Sequence, residues 1–158
     1  MSKPVNTDTI QQGKQYLRDN FRKGAKCPCC DQLVRLWKYT IHSTMGRLLI
    51  ELYRLDGEYH HINTLWERTG NKSMGGDFSK LIHWGLIEPM PKDPDENKRA
   101  TGYWKITDLG VKFVLNQTAV PKVLLMFDKR KYGHEGLTRI TDVLSKKFDY
   151  NELIQSTL

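Results

Sequence analysis

No stretch of this 158-residue chain approaches the ~20 consecutive apolar residues that a membrane-spanning helix needs. The opening MSKPVNTDTIQQGK also lacks the apolar core of a secretory leader. These two absences predict a soluble, cytoplasmic protein with no membrane partner. Cysteine is scarce: the three residues all lie in the tetrapeptide Cys27-Pro28-Cys29-Cys30, so no disulfide can close a long loop. Catalytic patterns are missing too. His42, His60, His61, His83 and His134 have no Glu at HExxH spacing, and neither a Gly-x-Ser-x-Gly elbow nor a GxxxxGK phosphate loop occurs. Asp93, Asp95 and Glu96 sit in a hydrophilic stretch of mixed charge and read as solvated. The chain is expected to act by binding and not as an enzyme.

What it has in quantity is positive charge, unevenly placed. Residues 1–55 hold 10 Lys/Arg against 4 Asp/Glu, while residues 56–158 hold 15 against 14. Most of the excess falls on Lys14, Arg18, Arg22, Lys23, Lys26, Arg35, Lys38 and Arg47. Clustered cations suit a polyphosphate, because each phosphate they neutralise releases condensed counterions. A hydrophobic fraction of 39% with 4 Trp, 7 Tyr and 5 Phe argues for a folded chain and against a disordered one. At this length there is room for one ordinary core and a small appendage.

The cysteine turn is half of a zinc knuckle. Cys27 and Cys30 can turn both sulfurs toward one metal, with Pro28 stiffening the turn, whereas structural zinc takes four protein ligands. Cys29, His42, one of His60 and His61, or the same pair from a second subunit would complete the set. A free or buried thiol cluster is the alternative. The Cys-Pro-x-Cys pattern also resembles glutaredoxin-like redox motifs, but those sit between a strand and a helix of a βαβ unit, and here a basic helix and a basic loop precede it.

Periodicity places the elements. Thr7 or Asp8 caps a helix running to about Lys23, with Ile10, Leu17 and Phe21 on one stripe and Arg18 and Arg22 outside it. Leu33–Ile41 reads as a strand. Ser43 or Thr44 opens the clearest helix, in which Met45, Leu48, Leu49, Leu52 and Tyr53 form one apolar stripe that ends at Asp56-Gly57. A short helix over His61–Thr69 buries Ile62, Leu65 and Trp66, and Gly70-Asn71 starts a turn. Asp77 is the expected N-cap of a second helix with Phe78, Leu81 and Ile82 inward and Ser79, Lys80 and His83 outward. Two helices joined this way form a helix-turn-helix, whose second helix enters the major groove by its N-terminal end. Lys72, Ser73, Ser79 and Lys80 would then face the groove, with the helix N-terminus open to a phosphate.

The run Leu81-Ile82-His83-Trp84-Gly85-Leu86-Ile87 is followed by a charged loop and then Tyr103-Trp104-Lys105-Ile106-Thr107-Asp108-Leu109-Gly110. Over residues 43–117 this order resembles the winged helix of bacterial regulators, similar to the multiple-antibiotic-resistance and phenolic-acid repressor groups (MarR- and PadR-like). The resemblance implies an α+β fold: a winged helix-turn-helix with a three-helix core and a β-hairpin wing, binding double-stranded DNA. Gly85 would let the chain double back, and Thr107 would cap the next helix. Two departures stand out. The loop Lys92–Gly102 mixes acids with bases, leaving Lys98 and Arg99 for the backbone or minor groove. The recognition helix also offers no arginine for bidentate readout of guanine.

The chain thus divides into a basic N-terminal helix and CPCC turn (1–42), the winged helix-turn-helix (43–117) and a C-terminal hairpin and helix (118–158). In the last part Val120–Phe127 reads as a strand, Asp128–Gly136 as a charged turn and Leu137–Ile140 as a short partner strand. Thr141 or Asp142 opens a final helix. This extension covers the core or presents a homodimer surface. The expected function is a DNA-binding transcriptional regulator acting by occupancy, from a bacterium, phage or mobile element, with Arg18 and Arg22 adding nonspecific attraction. Two alternatives remain: a winged-helix module for a protein partner in replication, transcription or defence, and a zinc- or thiol-responsive regulator using Cys27, Cys29, Cys30 and His42.

Overall fold

A computed structural model of the chain describes residues 9–70, 77–91 and 102–155. It is a mixed α+β protein with small sheets, divided into two compact units. One unit comprises Met1–Tyr39 and Leu124–His134, the other Thr40–Val123 and Glu135–Leu158. Among the described residues no helix is long and apolar enough to cross a membrane.

The first unit opens with α1 (Ile10–Asn20). Its N-cap is Thr9, one or two residues later than expected, and the reason is the Thr-x-x-Gln spacing. Thr9 Oγ1 accepts the Gln12 N–H at 3.2 Å, while Gln12 Oε1 accepts the Thr9 N–H at 2.6 Å. The helix ends at Asn20, short of Lys23, and none of its residues is buried. Strands β1 (Ala25–Lys26) and β2 (Leu33–Val34) then pair antiparallel, with the cysteine turn between them. The expected single strand over Leu33–Ile41 is in fact β2 and β3 (Trp37–Thr40), separated at Arg35-Leu36.

The second unit is built around α2 (Ser43–Tyr53). Its stripe is wider than the sequence implies: Met45, Gly46, Leu48, Leu49, Ile50, Glu51 and Leu52 are all buried, because α3, α4, α5 and the strand Tyr103–Ile106 surround it. Full burial of each large aliphatic side chain is worth about 1.5–3 kcal/mol, which makes α2 the main source of stability here. β4 (His60–His61) leads into α3 (Ile62–Thr69), whose Gly70 C-cap takes a left-handed φ of 74°. A 3₁₀ helix, Phe78–Trp84, precedes β5 (Ile87–Pro89), β6 (Tyr103–Ile106) and α4 (Asp108–Val114). The sheet order is β4-β6-β5, antiparallel throughout, with Trp104 opposite both His60 and Pro89.

Close approach of α4 to the strand entry depends on Gly110. A Cβ there would lie 2.2 Å from the Leu86 carbonyl oxygen and 2.7 Å from Ile106 Cγ1. Only glycine fits that gap. Further along the chain, α5 (Ile140–Leu144) sets Ile140, Val143 and Leu144 against α2 at Gly46, and α6 (Tyr150–Gln155) is tied in by the Tyr150 hydroxyl, which donates to the Val114 carbonyl at 2.8 Å. The expected single terminal helix is therefore two short ones, broken at Ser145, whose φ is 55°.

Strands β7 (Val120–Phe127) and β8 (Arg130–Thr138) join β3 in a sheet of order β3-β7-β8. The nine-residue charged turn expected over Asp128–Gly136 shrinks to Asp128-Lys129, both with positive φ (50° and 62°), as a two-residue hairpin turn of the primed type requires. The partner strand expected over Leu137–Ile140 instead runs Arg130–Thr138, and Ile140 belongs to α5. β8 lies at the sheet edge and all but two of its residues are exposed. Charged and polar side chains are acceptable there and protect the edge from pairing with another chain.

Candidate nucleic-acid interface

In the second unit the 3₁₀ helix presents the outward-facing polar residues. A 3₁₀ helix repeats every three residues, so Phe78, Leu81 and Trp84 share the buried face. The α-helical spacing expected from sequence put Ile82 inside; it is 38% exposed, and Trp84 takes its place. Trp84 Nε1 donates to the Pro121 carbonyl at 2.7 Å, anchoring the helix to β7. The segment is only seven residues long, in keeping with the use of 3₁₀ helices in short pieces.

Ser79 is exposed and Lys80 half-exposed, so both face outward, as the sequence spacing predicts. Asp77, however, does not cap the helix: its backbone is helical (φ −102°, ψ −2°) and its carboxylate holds Lys80 Nζ at 2.8 Å. The hydrogen bond from Lys80 keeps the Asp77 carboxyl below its usual range. A surface pair of this kind is worth about 0–1 kcal/mol, so a phosphate can compete for the lysine. With seven residues and an acidic residue at its start, the helix offers a poor N-terminal phosphate site, contrary to the sequence expectation. Lys72, Ser73, Lys98 and Arg99 lie outside the described residues.

The exit from this helix is fixed by two residues the sequence singles out. Gly85 adopts φ 73° and ψ 18°, the left-handed C-cap. Thr107 caps α4 by accepting the Gly110 N–H at 3.0 Å, and its hydroxyl donates to the Gly85 carbonyl. One side chain thus joins the end of the 3₁₀ helix to the start of α4. His61 caps α3, its Nδ1 accepting from the Asn63 N–H at 3.1 Å, and His60 Nε2 lies 2.7 Å from Asp56 Oδ1. These histidines do structural work where they stand.

Behind the helices lies a buried charge cluster. Glu51, 1% exposed, binds three arginines: Arg47 on its own helix, Arg54 Nη1 at 3.1 Å and Arg68 Nε of α3 at 2.8 Å. Burial pushes the carboxyl up, but the hydrogen bonds and charges of Arg47, Arg68 and Arg54 outweigh it and hold it below its ordinary value. The clamp locks α3 to α2. Its trace in the sequence is a glutamate inside an apolar helix with arginines at i−4 and i+3.

The first unit holds Arg18, Arg22 and the three cysteines. Its Met1–Tyr39 and Leu124–His134 segments carry 11 Lys/Arg against 4 Asp/Glu, whereas the second unit carries 14 against 14. All of the chain's net charge of +7 therefore resides in this smaller unit. Arg18 and Arg22 are exposed on and just beyond α1, with the Arg22 guanidinium 5.8 Å from the Phe21 ring centroid. The cysteine turn is closed by the Cys27 N–H to Gln32 carbonyl bond (2.8 Å) and the Asp31 N–H to Cys27 carbonyl bond (2.9 Å). Cys27 Sγ accepts the Cys29 N–H at 3.4 Å, and backbone donation from Cys29 and Cys30 lowers the Cys27 thiol from its usual value. Cys27 is half-buried; Cys29 and Cys30 are exposed, and all three are free thiols. His42 belongs to the other unit, as the N-cap of α2, its N–H donating to Met45 Sδ at 3.3 Å. Among the described residues no group of three or more His, Cys, Asp or Glu is arranged to hold a metal ion.

Compared with protein-family models, curated proteins and solved structures, the chain has no match.

Proposed function

We propose that residues 43–117, within the second unit, form a winged helix-turn-helix and that the protein binds double-stranded DNA, regulating transcription by occupancy without catalysing a reaction. The observation that carries this reading is the order and pairing of elements. Helix α2, strand β4, helix α3, the 3₁₀ helix and the β5-β6 pair follow one another, and β4 closes the three-stranded sheet on β6. Ser79 and Lys80 on the outer side of the 3₁₀ helix supply groove donors, with Lys72, Ser73, Lys98 and Arg99 as further candidates by sequence position. Because the winged unit is electrically neutral, most of the phosphate attraction comes from the cationic unit, including Arg18 and Arg22.

In this reading the cysteine hairpin is a half-site for structural zinc. Its sulfurs sit on a tight turn between paired strands, and backbone N–H groups favour the Cys27 thiolate. Zinc there would fix the hairpin and supply no chemistry. The remaining ligands would come from Cys29, from a histidine or from a second copy of the chain.

Neutrality of the winged unit, together with exposed Ile82 and Leu109 at 38% and 39%, favours a second reading in which this unit docks on a protein. Mobility shift with random and genomic duplexes separates the two. The DNA reading expects binding by the wild type and at least about tenfold weaker binding when Lys72 and Lys80 are both changed to Glu, since each lost phosphate contact also lowers the salt dependence. Unchanged affinity in that double variant removes the groove assignment.

A further inference from the structure

The cationic unit contains an open cavity of about 350 Å³ lined by Leu17, Phe21, Val34, Phe127 and Tyr132, with Lys14 and Arg18 at its edge. Phe21 in its lining lies 5.5 Å from the Phe127 ring and 5.3 Å edge-on to Tyr132. None of these five side chains is fully buried, and α1, which contributes Leu17, buries no residue at all. In the same unit, Trp37 is 49% exposed with the Arg35 guanidinium 5.0 Å from its ring centroid. Aromatic faces left open beside clustered cations call for a flat apolar occupant that carries negative charge.

We propose that this cavity takes an unpaired base of a single-stranded nucleic acid, whose neighbouring phosphates lie on Lys14, Arg18 and Arg22. The inference rests on the nucleic-acid reading above and goes beyond it, adding a single-strand contact on the cationic unit to the duplex contact proposed for the winged helix. Three features favour this occupant. A base is smaller than the drug-sized molecules that fill cavities of ~300–1,000 Å³, so one fits. Eleven Lys/Arg in so small a unit match a chain of phosphates far better than a single carboxylate. The lining has few hydrogen-bonding groups, only the Tyr132 hydroxyl and the two cations, so it stacks a base without reading its edge. Binding through this cavity is therefore sequence-tolerant and prefers single strands, gaps or frayed ends to closed duplex.

The test uses the full chain and fluorescence anisotropy with four probes: an oligothymidine, an abasic strand of equal length and charge, the annealed duplex, and phosphatidylserine vesicles. Oligothymidine should bind at least about fivefold tighter than the abasic strand, the difference expected when one base stacks on an aromatic side chain. Tyr132→Leu should shrink that difference, because one of the three rings lining the cavity is lost. Photocrosslinking of a 5-bromodeoxyuridine strand to the unaltered protein should map to Phe21, Phe127 or Tyr132, which keeps the test independent of how any variant folds. Equal affinity for oligothymidine and the abasic strand, or crosslinks confined to the 3₁₀ helix, overturns the cavity assignment and leaves duplex binding standing. Preference for vesicles over every nucleic acid overturns it in favour of a lipid surface. Binding to none of the nucleic acids removes the DNA reading and this inference together.

Discussion

Glu51→Gln is the sharpest probe of how the second unit is held together. The wild-type carboxylate is buried and shared by Arg47, Arg54 and Arg68. An amide keeps the volume and one acceptor oxygen, but it leaves three guanidinium groups close together with no counter-charge. Removing one partner of a buried ion pair costs ~3–5 kcal/mol. The arginine side chains retain 12–22% of their exposure, so water screens part of the loss. The low end, about 3 kcal/mol, is expected. For a chain of this size about 2–4 °C of melting temperature accompanies each kcal/mol, so Tm should fall by about 6–12 °C at neutral pH. Thermal and urea unfolding by circular dichroism measure it. The pH dependence carries a second sign. Because the folded carboxyl titrates below its ordinary value of 4.5, its contribution is complete above that pH and is lost as acid protonates the folded group. The gap between wild type and variant should therefore narrow on acidification below about pH 4. Arg54→Ala, which leaves Glu51 two partners, should cost less than Glu51→Gln. A wild-type-to-Gln gap under about 1 kcal/mol at pH 7, or one that widens in acid, would refute the clamp as the lock between α2 and α3.

Other expectations follow from single contacts. Gly110→Ala drives a methyl group into the Leu86 carbonyl and should destabilise by about 2–3 kcal/mol, read as a lower urea midpoint with unchanged slope; an unaltered midpoint would mean that α4 shifts freely. Asp77→Asn removes the carboxylate that competes for Lys80 and should raise duplex affinity by about two- to fivefold, measured by anisotropy. No gain there would take Lys80 out of the interface. Elemental analysis of the purified protein should find zinc at one ion per chain or per pair of chains. Zinc absent, with all three thiols freely titratable, ends the knuckle reading.

Much of the second unit was legible because its signals are local. The 3.6-residue stripe of α2, the paired Gly85 and Thr107 stops, and the β-formers of β6 each declare themselves within a few residues. Elements that depart from these periods were not. Reading Phe78–Trp84 with an α period put Ile82 inside, since nothing in seven residues distinguishes a three-residue repeat until Trp84 is seen to be buried. The first part of edge strand β8 reads as a turn from sequence because an exposed edge tolerates Arg130, Lys131, His134 and Glu135. Contacts between distant residues were beyond reach altogether. Nothing local links Phe21 to Phe127 and Tyr132, or Glu51 to Arg68. The concentration of charge in one unit likewise emerged only when Lys129, Arg130 and Lys131 fell in with the N-terminal cations.

Salt dependence of duplex binding decides whether the protein recognises phosphates. If the cationic unit and the 3₁₀-helix face together neutralise about five phosphates, log affinity should fall against log salt with a slope near −4.5, roughly 500-fold between 50 and 200 mM. Affinity that barely changes across the series, with a slope shallower than about −1, would contradict phosphate recognition and assign the exposed face to a protein partner.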